Sequence, residues 1–315
     1  MRVVIIGGTG HIGRFLTRML VDDGQQVVVV SSGRTPADTE HTSAGGVEFA
    51  HLRYPGTLAD GTFKSLLREK RPDAVVDILQ SDTKRAYSRC LEEGVRHLVL
   101  CGSVWMFGRP KVVPTPEATQ TECPFEAYRL RYVDMLRAVE RSENGGLAVT
   151  GVMPPNICGP GKIPLDGMGG RSIEAHRAHR RGGNVILPFP GTNLIGPCDA
   201  EDVAQGFFRA IKNREAAAGH ILNVGSSYAL TAERFIKTYA DIYGTRIPIE
   251  YVSAESYVRD VSPDLGSYYH FLEHMCPDIS RISSLLGYRP RYTPEETMER
   301  AVKWMLDTGM LTDRA

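Results

Sequence analysis

From its first residues the chain alternates short, wholly apolar runs with segments whose apolar positions recur every three or four residues. Val3-Val4-Ile5-Ile6 is a continuous apolar run of strand length, the pattern of a parallel strand buried on both faces. Ile12, Phe15, Leu16, Met19 and Leu20 then fall on one helical face, and Gly24 supplies the stop. Residues 27–30 predict a second strand and 47–49 a weaker third. Phe63, Leu66 and Leu67 mark a helix before a strand at 74–79, and a helix over 87–93 leads into a strand at 97–101. Such strict alternation predicts right-handed βαβ units stacked into a doubly wound parallel sheet, an α/β fold of Rossmann type.

The second half is less regular. Residues 147–152 read as another sheet strand, ended by Pro154-Pro155. A Gly/Pro-rich loop over 159–170 and a polar helix over 173–181 follow, then strands near 185–187 and 221–224. The tail from Ala232 reads mostly as short helices. The expected division is a dinucleotide-binding domain over 1–158, with 198–228 returning to it. A smaller α+β substrate cap would take 159–197 and 229–315.

With 315 residues, the chain can form one large domain or two that share a cleft. Lys plus Arg and Asp plus Glu each number 37, so no global field draws it to nucleic acid or to acidic membranes. No apolar run approaches the roughly 20 residues of a membrane span. The N-terminus shows no secretory cleavage pattern, and the six cysteines are scattered without close pairs. These features predict reduced thiols in a cytoplasmic setting, without nucleic-acid or membrane partners.

Two local clusters add little chemistry. His270-Phe271-Leu272-Glu273-His274 has the spacing of an inverted zinc-protease helix, but no third ligand segment follows and no metal is expected. The run His176, Arg177, His179, Arg180, Arg181 reads as a solvated helix face. Arg177 is kept as a candidate contact for a substrate phosphate.

Gly7-Gly8-Thr9-Gly10-His11-Ile12-Gly13 lies between the first strand and the first helix. Gly7 suits the tight turn, Gly10 lets backbone approach a pyrophosphate, and Gly13 allows close helix–strand contact. Free amides at the helix N-terminus favour the anion. Thr9, His11 and Ile12 complete the candidate contact set. The second strand ends Val30-Ser31-Ser32-Gly33-Arg34, without the carboxylate that usually binds the adenosine ribose of NAD. Ser32 and Arg34 suit a 2′-phosphate instead, so NADP is the expected coenzyme and NAD the alternative.

Several segments, in this order, resemble the extended short-chain dehydrogenase/reductase family, which includes nucleotide-sugar epimerases and dehydratases. The glycine turn matches its N-terminal signature. Cys101-Gly102-Ser103-Val104-Trp105-Met106-Phe107-Gly108 is similar to Ser-Ser-x-x-x-Tyr-Gly. Met153-Pro154-Pro155-Asn156-Ile157-Cys158-Gly159-Pro160-Gly161 is similar to Arg-Pro-x-Asn-x-Tyr-Gly-Pro-Gly. Ala200-Glu201-Asp202-Val203-Ala204 and Leu285-Leu286-Gly287-Tyr288-Arg289-Pro290 match later motifs. The resemblance implies hydride transfer at a hydroxyl or carbonyl carbon of a small molecule, such as a sugar or nucleotide sugar. It also implies a homodimer formed through two sheet-flanking helices.

The same resemblance makes Tyr128 the acid/base and Ser103 the donor to the substrate oxygen. Gln80 and Pro154 would line the coenzyme, and Trp105, Asn156 and Tyr269 the substrate. The chain departs from the family at three places. Tyr132 stands where the lysine of Tyr-x-x-x-Lys belongs, and so supplies no positive charge. His51-Leu52-Arg53-Tyr54 lacks an aspartate, and the fourth strand ends Asp77-Ile78-Leu79-Gln80 rather than in small residues. The missing lysine keeps a second reading open: a non-catalytic or non-redox NAD(P)-binding protein.

Overall fold

Seven parallel strands form the central sheet of the computed structural model, which describes residues 1–33, 46–54, 56–80, 82–142 and 146–311. They are β1 (Arg2–Ile6), β2 (Gln26–Ser31), β3 (Val47–His51), β4 (Ala74–Asp77), β5 (His97–Cys101), β6 (Ala148–Met153) and β7 (His220–Asn223). Their spatial order is β7-β6-β5-β4-β1-β2-β3. The order reverses between β1 and β4, which opens a crevice at the carboxyl ends of these strands, where such sheets bind ligands.

The sheet is covered on both faces, as its uninterrupted apolar strands require. Alternate residues of β1 serve opposite cores. Val3 and Ile5 join Leu16 and Leu20 of α1 (Gly13–Asp22) and Phe207 of a later helix. Val4 and Ile6 join Phe63 and Leu67 of α2 (Thr62–Lys70), Tyr87 of α3 (Thr83–Glu92) and Met135 of α4 (Glu126–Ser142).

A third core gathers Leu165, Val185, Leu187, Phe235, Tyr239, Phe271, Met298 and Met305. It draws on α5 (Ile173–Arg180), α7 (Ala232–Tyr243), α8 (Leu265–Leu272) and α9 (Pro294–Asp307), while α6 (Ala200–Lys212), which carries Phe207, stays with the sheet. The tail therefore holds longer helices than its sequence suggested. Phe235, Ile236 and Tyr239, like Met298, Ala301, Val302 and Met305, repeat at helical spacing, and Thr293 with Glu296 forms a capping box on α9. Strand Ile249–Val252, unforeseen in the sequence, pairs in parallel with Val185–Pro188. Ile282, Leu286 and Tyr288, from the tail, pack into the sheet core together with Phe207 of α6. Among the described residues no helix is long and apolar enough to cross a membrane.

Candidate active site

The turn after β1 is held by short-range bonds. Gly7 N–H donates to the Val30 carbonyl at 2.9 Å, and Gly10 N–H to the Gly7 carbonyl at 3.0 Å. Gly7 has φ +86°, a left-handed conformation that favours glycine. A Cβ on Gly13 would sit 2.6 and 2.8 Å from the backbone of Gly8, and closer still to the Gly7 carbonyl oxygen. No side chain caps α1; the Arg14 N–H donates to the Gly10 carbonyl at 3.1 Å, and the Phe15 and Leu16 N–H groups to the Ile12 carbonyl at 3.1 and 3.2 Å. The loop after residue 158 closes over this turn. Arg14 donates to the Pro160 carbonyl, and His11 Nε2 lies 3.3 Å from the Gly159 carbonyl.

A cavity of about 680 Å³ opens from this turn. Gly7, Thr9, Gly10, His11 and Ile12 line one side, with Ser31, Ser32, Arg53 and Tyr54 at the end formed by β2 and β3. Ser103, Trp105, Tyr128 and Pro154 line the cavity elsewhere, together with Asn156, Lys162, Arg171 and His270. Among the described residues no carboxylate lines this space.

Tyr128 and Ser103 thus share one cavity with the glycine turn. Ser103 begins the short helix Val104–Phe107, and its Oγ accepts from the Trp105 N–H at 3.3 Å. Tyr128 packs beside Phe125 and Trp105, with ring centroids 5.7 and 6.3 Å away. Burial pushes its phenol above the ordinary value, while Arg131 pulls in the other direction.

Other expected site residues lie elsewhere. Gly13 underlies the turn without lining the cavity. Gln80 is buried behind it, its N–H bonded to Asp77 Oδ1 at 2.8 Å and its amide to the Arg131 carbonyl at 3.3 Å. Tyr269 is buried in the wall, edge-on to Trp105 at 5.1 Å. Arg177 is turned away on α5, bonded to Glu174 and to the Met310 carbonyl. Tyr132 points into the core below α4 and not into the cavity. Arg34 lies outside the described residues.

The sequence reading did not single out Arg53, Lys162 or Arg171 as lining groups, and gave the segment holding His270 a pocket or surface role in place of a metal. Arg53 faces the β2–β3 end of the cavity and forms no ion pair among the described residues. Lys162 directly follows the Gly-Pro-Gly motif, the signal that would have found it. Arg171 donates to the Ile163 carbonyl at 2.8 Å, Asn156 Oδ1 at 2.9 Å and the Ile157 carbonyl at 3.0 Å. His270 lies tilted against Trp105, with ring centroids 4.5 Å apart, and burial with nearby Arg171 holds its pKa down at about 3. The zinc-like spacing does not survive in space. Helix α8 ends at Leu272, and His274 turns aside to accept the Leu194 N–H at 3.1 Å. Behind the β3 end, the Tyr54 hydroxyl donates to Asp77 Oδ2 at 2.5 Å. Burial raises the Asp77 carboxyl to about 6 against that bond and two backbone donors.

The sequence matches the NAD dependent epimerase/dehydratase family over residues 3–225. It is 23% identical over 327 aligned positions to the chloroplast stem-loop binding protein of 41 kDa b from Arabidopsis thaliana, covering 99% of this chain and 81% of that protein. It is 25% identical to a UDP-glucose 4-epimerase of Corynebacterium glutamicum, covering 79% of this chain and 83% of that enzyme. Among solved structures, a UDP-glucose 4-epimerase from Stenotrophomonas maltophila, with bound NAD and formylated UDP-arabinopyranose, superposes with a TM-score of 0.79. That match has 19% identity and covers 99% of this chain and 100% of the other.

Proposed function

The chain belongs to the NAD dependent epimerase/dehydratase family, and from that premise we propose that it is an NAD(P)-dependent enzyme with a non-standard active site. It acts by hydride transfer at a hydroxyl- or carbonyl-bearing carbon of a small molecule, with sugars and nucleotide sugars as the substrate class. The observation that carries this reading is the shared cavity: Ser103 and Tyr128 line the same space as Gly7 and Gly10.

The turn fits a dinucleotide, because Gly7 to Gly13 leave a cradle that a Cβ would fill. Gly7, Thr9, Gly10, His11 and Ile12 would hold the pyrophosphate, and Ser31, Ser32 and Arg53 the adenosine end. When bound, the nicotinamide coenzyme supplies or accepts hydride. Ser103 Oγ hydrogen-bonds the substrate oxygen, and the Tyr128 hydroxyl exchanges a proton with it. Trp105, stacked on Phe125 at 5.0 Å, gives the cavity an apolar surface beside Ser103 and Tyr128. With its pKa raised, Tyr128 rests as a neutral phenol, suited to donating a proton as a carbonyl is reduced.

NAD is named with the Stenotrophomonas structure. In this chain Ser32 and Arg53, without a carboxylate among the described lining residues, support NADP. Titration of coenzyme-free protein with NADPH and NADH, followed by nicotinamide fluorescence, decides between them. If neither binds, the redox reading falls. Tyr132 supports a second reading, a coenzyme-binding protein without redox turnover. Tight coenzyme binding with no turnover on any carbonyl substrate would favour it.

The expected division into a coenzyme domain and a cap, and cytoplasmic residence, belong to the same proposal. A homodimer is supported by Leu130 and Val133 of α4 and Leu91 of α3, large apolar side chains exposed on two helices that pack together. Sedimentation velocity tests it.

A further inference from the structure

The histidines expected on a solvated helix face turn inward: His176 and His179 of α5 are 0% and 3% exposed. Both reach the loop that runs from the Gly-Pro-Gly motif into α5. His176 Nε2 lies 3.2 Å from the Pro164 carbonyl, and its Nδ1 3.0 Å from the Tyr243 hydroxyl. The Gly167 N–H donates to His179 Nε2 at 3.1 Å. Between these two points the Tyr239 hydroxyl of α7 donates to the Leu165 carbonyl at 2.6 Å.

These bonds fix the protons. A carbonyl only accepts and an amide N–H only donates, so His176 carries its proton on Nε2 and His179 on Nδ1. Burial lowers the pKa of both rings, helped at His176 by Arg171, against the field of Asp166. The Tyr239 and Tyr243 phenols that face them from α7 are raised by burial and stay neutral. The His179 Nδ1–H has no partner among the described residues. An apolar side chain would fill the same space without that cost, so packing alone does not account for a histidine here.

The loop they hold leads to the cavity. Asp166 accepts from the N–H groups of Met168, Gly170 and Ser172 at 2.8, 3.1 and 2.8 Å, which closes a tight turn. Arg171 leaves that turn for the cavity wall, where it donates to Asn156 Oδ1 at 2.9 Å.

We infer that His176 and His179 are positioning residues, which set the loop carrying Arg171 to the cavity through the Pro164 carbonyl and the Gly167 N–H. Neither ring lines the cavity itself. Their role rests on the proposed enzymatic reading, because the wall they set would face its substrate. His179 is the more exacting of the two. Once protonated it can no longer accept from Gly167, whereas His176 keeps its bond to Pro164 when charged.

Nitrogen-15 spectra of the histidine-labelled full chain read the tautomers at neutral pH, with His176→Gln and His179→Gln to assign the signals. His179 should be neutral with its proton on Nδ1, and His176 neutral with its proton on Nε2. A charged His179, or one protonated on Nε2, overturns the inference. Hydrogen exchange over residues 164–172, followed by mass spectrometry, then ranks two variants. His179→Gln keeps an acceptor where Nε2 stood and should hold the loop's protection within about threefold of the parent, while His179→Leu should lose about tenfold or more. A packing role predicts the opposite order, so a glutamine variant that folds or protects the loop no better than the leucine variant also overturns it. Coenzyme titration of the same preparations separates the two claims. A loop that loosens in His179→Leu, in a protein that binds no coenzyme, sinks the enzymatic reading and spares the positioning role. Coenzyme binding with a loop equally protected in His179→Leu sinks the positioning role alone.

Discussion

Tyr132 meets Phe107 edge-on, with ring centroids 5.5 Å apart and planes at 79°, in the core beneath α4. Its hydroxyl is tied to the Thr119 side chain. The position where the family carries a cation is here part of the packing, 6% exposed.

That placement reverses the simplest expectation for Tyr132→Lys. A lysine there exchanges an aromatic contact and a hydrogen bond for a charge in an apolar setting, which costs on the order of 3 kcal/mol. The thermal midpoint should fall, with no large gain in turnover. Scanning calorimetry and steady-state rates on one preparation check this; an unchanged midpoint with much faster turnover would show that the lysine reaches the cavity after all.

Tyr128 and Ser103 should behave as chemistry, not as packing. Tyr128→Phe is expected to lower turnover about 10²–10⁴-fold, and Ser103→Ala about 10²–10³-fold, with coenzyme affinity nearly unchanged. The phenol is pushed up by burial, so oxidation, which needs the deprotonated form, should still be rising with pH through the alkaline range. Reduction, which uses the protonated form, should stay flat there. An oxidation rate that levels off near neutral pH would remove Tyr128 from the role of base.

How much of this was legible depends on how local each feature is. The first strand, the glycine turn and α1 are contiguous, so spacing alone predicts them. Ser103, Tyr128 and Asn156 were legible because the motifs around them carry a family resemblance. Helical spacing places Tyr132 on the same face as Tyr128, and only the packing of Phe107 beneath α4 shows that the two side chains diverge. Lys162, Arg171 and His270 were not legible as a group. They come from two segments about a hundred residues apart in sequence, and their meeting on one side of the cavity is a product of the fold.

Two sets of buried groups act on stability in opposite senses as pH falls. Burial holds His11 and His270 at about 3 and His97 and His176 at about 4, and lowers His179 as well, whereas an unfolded histidine titrates near 6.5. Between about pH 6.5 and 4 the unfolded chain therefore takes up protons that these sites refuse, so their stability is lost as pH falls. Asp77 and Asp202, raised from 3.8 to about 6, act oppositely, because the fold protonates them first, and burial raises Glu117, Asp199 and Glu273 in the same sense. Asp77→Asn removes one of the opposing sites, so its urea midpoint should fall more steeply between about pH 6.5 and 4 than that of the parent. Parallel pH profiles for the two proteins would contradict the assignment.

Two alanine substitutions in the glycine turn should separate packing from ligand approach. On Gly13 the new Cβ meets Gly8 backbone at 2.6 Å, and backbone on both sides has no room to yield. Gly13→Ala must then push α1 away from β1, and since Leu16 and Leu20 of that helix sit in the sheet core, stability and coenzyme binding fall together. On Gly10 the Cβ would stand 3.2 Å from the Gly7 carbonyl oxygen, tight but tolerable, on the side that lines the cavity. Gly10→Ala should leave the thermal midpoint within a few degrees of the parent and weaken coenzyme at least tenfold, because the methyl group occupies the path of the pyrophosphate. Thermal scans paired with coenzyme titration distinguish the two. If Gly10→Ala binds coenzyme as tightly as the parent, the pyrophosphate does not pass over this turn.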